Sequence, residues 1–284
     1  MKTFNQLVES DNTVMVVDAL NLAFRWKHSG ALDFADDYIK TVNSLRKSYK
    51  AKYVIIACDK GSSSYRKSIY SEYKQNRKDK FDQQSEEDRI KFEMFFEEFQ
   101  NTLTKLEQET DFIIFRFDKV EADDIAAYLV KYKKKLMPNI NKMILISSDK
   151  DWDLLINKDV SRFSYVTRKE ITMDNWSEHY DCEQEDYISI KCLQGDTGDN
   201  VPGVPGIGPK KAIALVKEYG STYDIIANLP ISSKYKYIQS LNEFGPDRLM
   251  KNYQLMDLLE FCNEALGEEN CEFIKTTIES TINA

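Results

Sequence analysis

The sequence has few of the residues on which several common kinds of site depend. It contains two histidines, and its five cysteines show neither a close pair nor the spacing of a metal site. Histidine-based catalysis, a zinc site and a disulfide framework are therefore disfavoured. The longest purely apolar runs are about six residues, as at 53–58, which is too short to cross a bilayer. Because the N-terminus also lacks the residue order of a signal peptide, a cytoplasmic protein is expected.

The net charge of −8 disfavours a protein that simply coats DNA, since phosphate contacts come from Lys and Arg. The distribution of charge is more informative than its sum. Residues 60–80 hold seven basic and two acidic residues, and Lys133–Lys135 form a second basic cluster. At 284 residues, the chain is long enough for one large domain or for a large domain with a small companion.

Four short runs of apolar and β-branched residues predict buried strands at 13–17, 53–58, 112–117 and 143–146. Between them, helical periodicity predicts helices that include 36–49, 90–106 and 125–134. This alternation is typical of an α/β fold with a mostly parallel central sheet flanked by helices. Such sheets place their sites at the carboxyl ends of the strands.

Carboxylates follow all four predicted strands. They are Asp18, Asp59, the group Asp118, Glu121, Asp123 and Asp124, and the group Asp149, Asp151 and Asp153. Helix capping explains one or two acids in a first turn, at about 0.3–1 kcal/mol each. So many carboxylates at one sheet edge would repel one another unless cations bind there. The set therefore predicts a site for two Mg²⁺ or Mn²⁺ ions that acts on a phosphodiester. Asp153 is equally consistent with a helix cap and is left out of this set.

The segment from about residue 61 to residue 84 is longer than an ordinary strand-to-helix connection of about 2–6 residues. It is basic and contains tyrosines, which predicts a functional excursion. From the residues alone, base stacking with phosphate pairing and a solvated loop are about equally well supported. Ser85 and Asp88 then resemble a capping box that opens a helix, and the aromatic stripe of this helix indicates core packing: Phe92, Phe95, Phe96 and Phe99.

A second, largely helical subdomain is expected after about residue 185, where residues 195–208 contain five glycines. The stretch is not a dinucleotide fingerprint, because no strand precedes it, and not a P-loop, because Gly208 is followed by Pro209. Tight turns before a helix with Lys210 and Lys211 at its start instead predict backbone N–H groups that bind a nucleic-acid phosphate. An ordinary loop before a helix is the alternative.

Five motifs together resemble the metal-dependent 5′-nucleases, or flap endonucleases, a family that includes bacteriophage enzymes and the 5′-nuclease domain of bacterial DNA polymerase I. They are VVDALNLAFRWK (16–27), DKGSSSYRKSIYSEYKQNR (59–77), VEADDIAAYLVK (120–131), SSDKDWDLL (147–155) and GDTGDNVPGVPGIGPKKA (195–212). Each motif is moderately specific, whereas their order and spacing, over nearly the whole chain, are very specific. The resemblance implies a PIN-like nuclease core at 1–185, a helical arch or clamp inserted at about 61–105, and a helix-hairpin-helix (helix-three-turn-helix) subdomain with C-terminal helices at 186–284.

The resemblance also implies which residues bind metal and act in catalysis. To seven of the carboxylates above it adds two from the pattern GDxGDN, so that the implied ligands are Asp18, Asp59, Glu121, Asp123, Asp124, Asp149, Asp151, Asp196 and Asp199. Two or more Mg²⁺ or Mn²⁺ ions are expected, and K⁺ is implied at the helix-hairpin-helix. The residues expected to act in catalysis are Asp18, Asp59, Asp149, Asp151 and, from the motif YKxNR, Lys74 and Arg77, with Lys74 close to the scissile phosphate.

The DNA contacts implied by the same motifs are Arg25, Lys27, Arg66, Tyr73, Lys74, Arg77, Gly203, Gly206, Gly208, Lys210 and Lys211. The expected protein is a monomeric 5′-to-3′ exonuclease and 5′-flap endonuclease in replication or repair, which acts on DNA with a 5′ flap or a free 5′ end. It needs no membrane and works in the cytoplasm, or in the host cytoplasm if it is viral. Two alternative functions are considered. A non-catalytic protein that binds branched DNA would be expected to lack some of the metal ligands, and a related metal-dependent ribonuclease would not need the glycine-rich segment that binds duplex DNA.

Overall fold

A computed structural model describes residues 12–283, which form two compact units. Within that range, the first unit comprises the chain up to Ser63, then Gln84–Met173, and then the chain from Cys262 onward. The second unit comprises Ser64–Gln83 and Asp174–Phe261. Residues 1–11 and 284, which the predicted domains include, lie outside the described part of the chain.

The first unit is built on a six-stranded sheet of order β3-β2-β1-β4-β5-β6. Strands β1 to β5 are parallel, and β6 pairs antiparallel with β5. The strands are β1 (Thr13–Asp18), β2 (Ala51–Cys58), β3 (Ile113–Arg116), β4 (Lys142–Ile146), β5 (Val160–Ser164) and β6 (Lys169–Ile171). The four predicted strands and the mostly parallel sheet are confirmed. The strand order reverses between β1 and β4, and this is where open α/β sheets place ligands.

Strand composition explains which strands the sequence revealed. All of β1 is buried, as expected for a central strand covered on both faces. β5 is also largely buried, but it carries Ser161, Arg162 and Ser164. Because these polar residues break the apolar run, β5 and its partner β6 were not predicted.

The helices of the described residues are, in chain order, α1 (Ala19–Ser29), α2 (Ala35–Tyr49), α3 (Ser64–Ile69), α4 (Gln75–Asp82), α5 (Glu86–Glu109), α6 (Ala122–Lys131), α7 (Lys133–Leu136), α8 (Tyr187–Gln194), α9 (Pro209–Tyr219), α10 (Thr222–Ala227), α11 (Lys236–Met256), α12 (Leu258–Leu266) and α13 (Glu268–Thr281). The predicted helix at 125–134 is divided between α6 and α7. Ser85 caps α5 by accepting a hydrogen bond from the Asp88 N–H at 3.2 Å, which is one half of the predicted capping box, and its hydroxyl donates to the Asp88 carboxylate at 2.7 Å. Among residues 12–283, no helix is both long and apolar enough to cross a membrane.

The second unit is helical apart from a short antiparallel hairpin of β7 (Gly195–Asp196) and β8 (Val201–Pro202). Its larger apolar cluster joins α8, α9, α10 and α11. A smaller cluster packs the Tyr73 ring with Cys192, Val201 and Leu255. The first half of the basic segment 64–83 therefore contributes to the core of this unit through Arg66 and Tyr73, whereas α4 has no buried residue.

The observed grouping differs from the predicted division at residue 185. The predicted arch at about 61–105 is divided, because α3 and α4 group with the second unit and α5 groups with the first. The last part of the chain returns to the first unit, where the Tyr53 hydroxyl donates to the carbonyl of Ile282 at 3.3 Å. Both groupings depend on contacts between residues that are far apart in the sequence, so the composition along the chain did not reveal them.

Candidate active site

Asp18 is the last residue of β1, a central strand of the sheet. It also caps α1, since its carboxylate accepts hydrogen bonds from the Asn21 N–H at 3.2 Å and from the Ser147 hydroxyl at 2.8 Å. The residue is 4% exposed. Burial raises the pKa of Asp18 well above its ordinary value, and the charges of Asp59 and Asp149 raise it further. The carboxylates at the ends of β1, β2 and β4 are therefore close enough to interact electrostatically, as the sheet topology predicts.

Asp59 and Glu121 connect the end of β2 with the start of α6. An Asp59 oxygen accepts the Ala122 N–H at 3.0 Å, and a Glu121 oxygen accepts the Ser63 N–H at 3.2 Å. Backbone bonds between Lys60 and the residues before α6 join the same two loops. Glu121 is 2% exposed. These bonds fix two carboxylates at the sheet edge.

The remaining predicted ligands of the first unit lie in α6, at the N-cap of the 3₁₀ helix Lys150–Leu155 and within that helix. The Asp123 carboxylate accepts the Trp152 indole N–H at 2.7 Å, which joins the two elements. Asp124, one position along α6, is fully buried. Asp149 caps the 3₁₀ helix by accepting the Asp151 N–H at 2.9 Å.

Asp153 has a separate, structural role. Its carboxylate and the Arg162 guanidinium form a bidentate pair, with nitrogen-to-oxygen distances of 2.5 and 2.8 Å. Arg162 also donates to the Ser147 carbonyl at 2.9 Å. Both charged groups are buried, so each stabilises the other. This pairing agrees with the exclusion of Asp153 from the predicted ligand set and gives it a role other than helix capping.

The donor set of the first unit is suited in its chemistry to hard divalent cations. Its seven predicted ligands are carboxylates, which supply the oxygen atoms that Mg²⁺ and Mn²⁺ prefer. Burial, and then the charges of Asp59 and Asp149, raise the pKa of Asp18, so positive charge beside this group would favour its ionised form. Among residues 12–283, no three His, Cys, Asp or Glu side chains converge closely enough to hold one ion as they stand. Several of the carboxylates instead accept backbone or indole N–H groups.

The two carboxylates from GDxGDN lie in the second unit, where Asp199 is surrounded by cationic and hydroxyl groups. It accepts the Tyr73 hydroxyl at 2.8 Å and lies 2.5 Å from the Arg77 guanidinium and 3.8 Å from the Lys74 amine. The Lys74 N–H also donates to the Asp199 carbonyl at 2.9 Å. The structure thus brings together three predicted site residues of YKxNR and one of GDxGDN.

Asp196 and two asparagines complete this arrangement. Asp196 accepts the N–H groups of Gly198 and Asp199 at 2.7 and 3.2 Å, and the Lys191 amine lies 3.7 Å from it. The Asn76 amide donates to the Thr197 carbonyl at 2.7 Å, and the Asn200 amide donates to the Glu72 carbonyl at 2.8 Å. These two asparagines were not predicted as site residues. The only sequence feature that could have indicated them is that Asn76 lies in the motif at 59–77 and Asn200 lies in the motif at 195–212.

The predicted DNA contacts of Arg66 and Tyr73 are not supported by their positions. Arg66 is 3% exposed and donates to the Leu255 carbonyl at 2.9 Å, and Tyr73 is 2% exposed. The Tyr73 ring is part of an apolar cluster, so its faces are not available to a base. Because the segment is basic, these two side chains were expected to face DNA, whereas both are buried in the core of the second unit.

The glycine-rich stretch forms the turn before α9. A Cβ atom at Gly203 would lie 1.9 Å from the Gln194 carbonyl oxygen, so only glycine fits there. Gly206 has a φ of +79°, and Gly208 is the N-cap of α9. The side chains of Lys210 and Lys211 are exposed, and the Lys211 amine donates to the Gly206 carbonyl at 2.7 Å. The turn and the two lysines have the local form predicted for a phosphate-binding helix start.

Arg25 and Lys27, the DNA contacts predicted on α1, have different environments. Arg25 is exposed. The Lys27 amine lies 3.9 Å from the centre of the Phe92 ring, and its partial burial lowers the pKa of Lys27. Arg25 is therefore the more accessible cation for a phosphate.

Two family models together match almost the whole described chain. The model for the 5′-3′ exonuclease N-terminal resolvase-like domain matches residues 13–181, and the model for the 5′-3′ exonuclease C-terminal SAM fold matches residues 182–276. The first match alone covers more than half of the chain. The predicted fold class is confirmed by these matches and by the observed sheet.

Individual relatives agree with the family matches. The flap endonuclease of Escherichia phage T5 is 41% identical over 91% of this chain and 87% of its own length. The flap endonuclease Xni of Shewanella woodyi is 28% identical over 87% of this chain and 93% of its own length. A solved structure of the bacteriophage T5 flap endonuclease in a pseudo-enzyme-product complex with DNA and metal ions has a TM-score of 0.89 and 38% identity, and the match covers 96% of this chain and 100% of that one. The chain therefore belongs to the 5′-3′ exonuclease family, and it is a structure-specific 5′-nuclease.

Proposed function

We propose that the protein hydrolyses phosphodiester bonds of DNA that has a 5′ flap or a free 5′ end, with Mg²⁺ at the carboxylates of the first unit. The observation that carries this proposal is that Asp18, Asp59 and Asp149 lie at or just after the carboxyl ends of the adjacent parallel strands β1, β2 and β4, with Asp18 buried among them. Burial first, and then the charges of Asp59 and Asp149, raise the pKa of Asp18. A DNA complex with metal ions in the phage T5 relative supports the same assignment. Action as a monomer in the cytoplasm is part of the proposal.

The chain's own groups orient the site. Ser147 and the Asn21 N–H hold the Asp18 carboxylate, and the Trp152 indole holds Asp123. Bound divalent ions would supply positive charge that offsets the carboxylate repulsion, activates water and stabilises charge developing on the phosphate. Lys74 and Arg77 supply further positive charge for phosphate oxygens. Asp199 orients both cations before DNA is present.

The helix-hairpin-helix is proposed to bind the backbone of duplex DNA. Gly208 opens α9, and Lys210 and Lys211 add positive charge at this helix start. Carbonyl oxygens of the turn 203–208 are proposed K⁺ ligands. Replacing K⁺ by Na⁺ at constant ionic strength should then weaken duplex binding. Equal affinity in the two salts would remove K⁺ from the proposal.

The decisive experiment is cleavage of a 5′-labelled flap duplex with Mg²⁺ or with a chelator. Wild type should cut near the junction only with Mg²⁺, and Asp149→Asn should keep DNA affinity but lose most of the cleavage. Asp33→Asn is a matched control, because Asp33 is exposed and lies outside the acidic set. Tight binding without any cut by wild type would instead indicate a non-catalytic binder of branched DNA.

A further inference from the structure

A cavity in the first unit lies beside the acidic site, and of its lining residues only Arg25 is among the DNA contacts predicted above. Its volume is about 920 Å³, and it is lined by α1, α2, the residue after Ser147, and the turn between β5 and β6. This volume is within the range of about 300–1,000 Å³ that is usual for small-ligand pockets. Asn21 and Ser148 belong both to this lining and to the loops that position the carboxylates.

The charge of the lining is opposite to that of the whole chain. Arg25, His28 and Arg168 line the cavity, and none of its described lining residues is acidic, although the chain carries a net charge of −8. Guanidinium groups bind phosphate oxygens with two parallel hydrogen bonds. The cavity therefore favours an anionic ligand, and a phosphate group fits this chemistry.

The apolar part of the lining is aromatic. Phe24, Phe163 and Tyr165 contribute rings, and the Tyr165 hydroxyl donates to the Asn21 carbonyl. Burial raises the pKa of Tyr165 to about 12, so this hydroxyl stays protonated at neutral pH. The three rings pack against the core of the first unit, and Phe24 stacks on Phe95 with 5.4 Å between ring centres, but all three are only half-buried, unlike Tyr73. Their remaining exposed surface, beside guanidinium groups, is the combination that binds a nucleobase together with its phosphate.

The turn that carries Arg168 has an unusual backbone. Arg168 has a φ of +56°, which is uncommon for a residue with a side chain. The Ser148 hydroxyl lies 3.0 Å from the Ser164 hydroxyl, and the Val166 and Thr167 N–H groups donate to these two oxygens. These bonds hold the turn in the conformation that places Arg168 in the cavity wall.

We propose that this cavity binds one nucleotide unit, with its base against the aromatic rings and its phosphate at Arg25 and Arg168. The nucleotide can come from a strand of the DNA substrate or from a free nucleoside 5′-monophosphate, because both present the same chemistry. The proposal rests on the proposed function only in taking DNA as the ligand. Its test is a binding measurement that does not require cleavage.

Two pairs of variants test the site. Arg168→Gln removes a lining charge, and its control Lys169→Gln removes the neighbouring exposed charge outside the lining. Ser44→Trp fills the cavity from α2, and its control Ser48→Trp adds the same ring one turn further along. Affinity for a labelled flap duplex is measured in chelator by fluorescence anisotropy over a salt series. Binding of thymidine 5′-monophosphate is measured by ligand-observed NMR.

Arg168→Gln and Ser44→Trp should each weaken flap-duplex binding by about three- to tenfold, as expected for loss of one charged or stacking contact. Arg168→Gln should also reduce the salt slope, which is the slope of the logarithm of the binding constant against the logarithm of the salt concentration, by about 0.7–0.9. Both controls should match wild type.

If thymidine 5′-monophosphate binds wild type and Ser44→Trp abolishes this binding, the cavity takes free nucleotides. If Ser44→Trp weakens only the binding of the duplex, the cavity takes a strand of the DNA substrate. Wild-type duplex affinity in both lining variants, without nucleotide binding, would overturn the proposal. Wild type that binds DNA but never cleaves it would overturn the proposed function and leave this site intact.

Discussion

The Arg77 guanidinium and the Asp199 carboxylate lie 2.5 Å apart, although 122 positions separate the two residues in the chain. The Tyr73 hydroxyl donates to the same carboxylate at 2.8 Å. Asp199 therefore connects the basic segment with the loop between β7 and β8. The arrangement stabilises the second unit and also orients the cations that are proposed to meet the phosphate.

Tyr73→Phe should separate the hydroxyl contact from ring packing. The ring would stay in its apolar cluster, and loss of the bond to Asp199 should lower the free energy of unfolding by about 0.5–1.5 kcal/mol. Tyr70→Phe is the control, because its hydroxyl bonds Glu72 at an exposed position. Urea unfolding measures both variants. An equal, negligible change in the two would show that the Asp199 contact does not stabilise the fold.

Asp153 and Asp151 should respond differently to substitution, although they are two positions apart. Asp153→Ala leaves the buried Arg162 charge unpaired, and the free energy of unfolding should fall by about 3–5 kcal/mol. Asp151→Asn should cost less than about 1 kcal/mol of stability but strongly reduce Mg²⁺-dependent cleavage. Denaturation and flap cleavage are measured on both proteins. Full cleavage by Asp151→Asn would exclude Asp151 from the metal site.

Lys74 combines a proposed catalytic charge with an unusual backbone, since its φ is +57°. Lys74→Ala and Lys74→Gly should both lower turnover, on the order of 10²-fold, with a smaller loss of duplex affinity. Glycine has no Cβ atom to strain this conformation, so Lys74→Gly should be about 1 kcal/mol more stable than Lys74→Ala. Single-turnover cleavage and anisotropy separate the two effects. Equal losses of turnover and affinity would assign Lys74 to phosphate positioning alone.

Lys210→Gln should weaken DNA binding for every sequence and reduce the salt slope by about 0.9, because one phosphate contact is lost. Lys217→Gln is the control, since Lys217 is an exposed lysine in the last turn of the same helix. Affinity is measured over a salt series in chelator. A slope that matches wild type in Lys210→Gln would place the start of α9 outside the DNA interface.

Mg²⁺ should raise the thermal stability of wild type, because ligands that bind only the folded state stabilise it. At 100 times the dissociation constant the gain is about 2.7 kcal/mol. The gain should be much smaller in a protein that carries both Asp149→Asn and Asp151→Asn. Differential scanning fluorimetry with Mg²⁺ and with chelator measures this gain. The same stabilisation in both proteins would place the bound Mg²⁺ elsewhere.

The sequence revealed the parts of the fold that have a simple periodicity. Strands β1 to β4 are apolar runs, and the carboxylates that follow β1, β2 and β4 interact electrostatically because parallel strands end at one edge of the sheet. Strand β5 was not predicted because it contains a charged residue, Arg162, which can be buried there since it pairs with Asp153. A pattern of apolar residues cannot show a charge that is neutralised by a distant partner.

The candidate site was predicted less completely in the second unit. Asp196 and Asp199 carry no signal of strand position, and only the motif GDxGDN indicated them. The buried position of Tyr73 was missed because lysines and an arginine surround it in the sequence, whereas Cys192, Val201 and Leu255 surround it in the structure. Contacts across more than a hundred positions are set by tertiary packing, which local composition does not record.

The grouping of Ser64–Gln83 with Asp174–Phe261 has a consequence for how the gene can be divided. The family models meet between residues 181 and 182, which suggests a natural cloning boundary. A fragment that begins at residue 182 would lack Tyr73, Lys74 and Arg77, and Asp199 would lose all three partners. The complementary fragment would keep those residues without their acceptor. Sequence modules and folding modules therefore have different borders in this chain, and expression of either half should give a protein with an incomplete core.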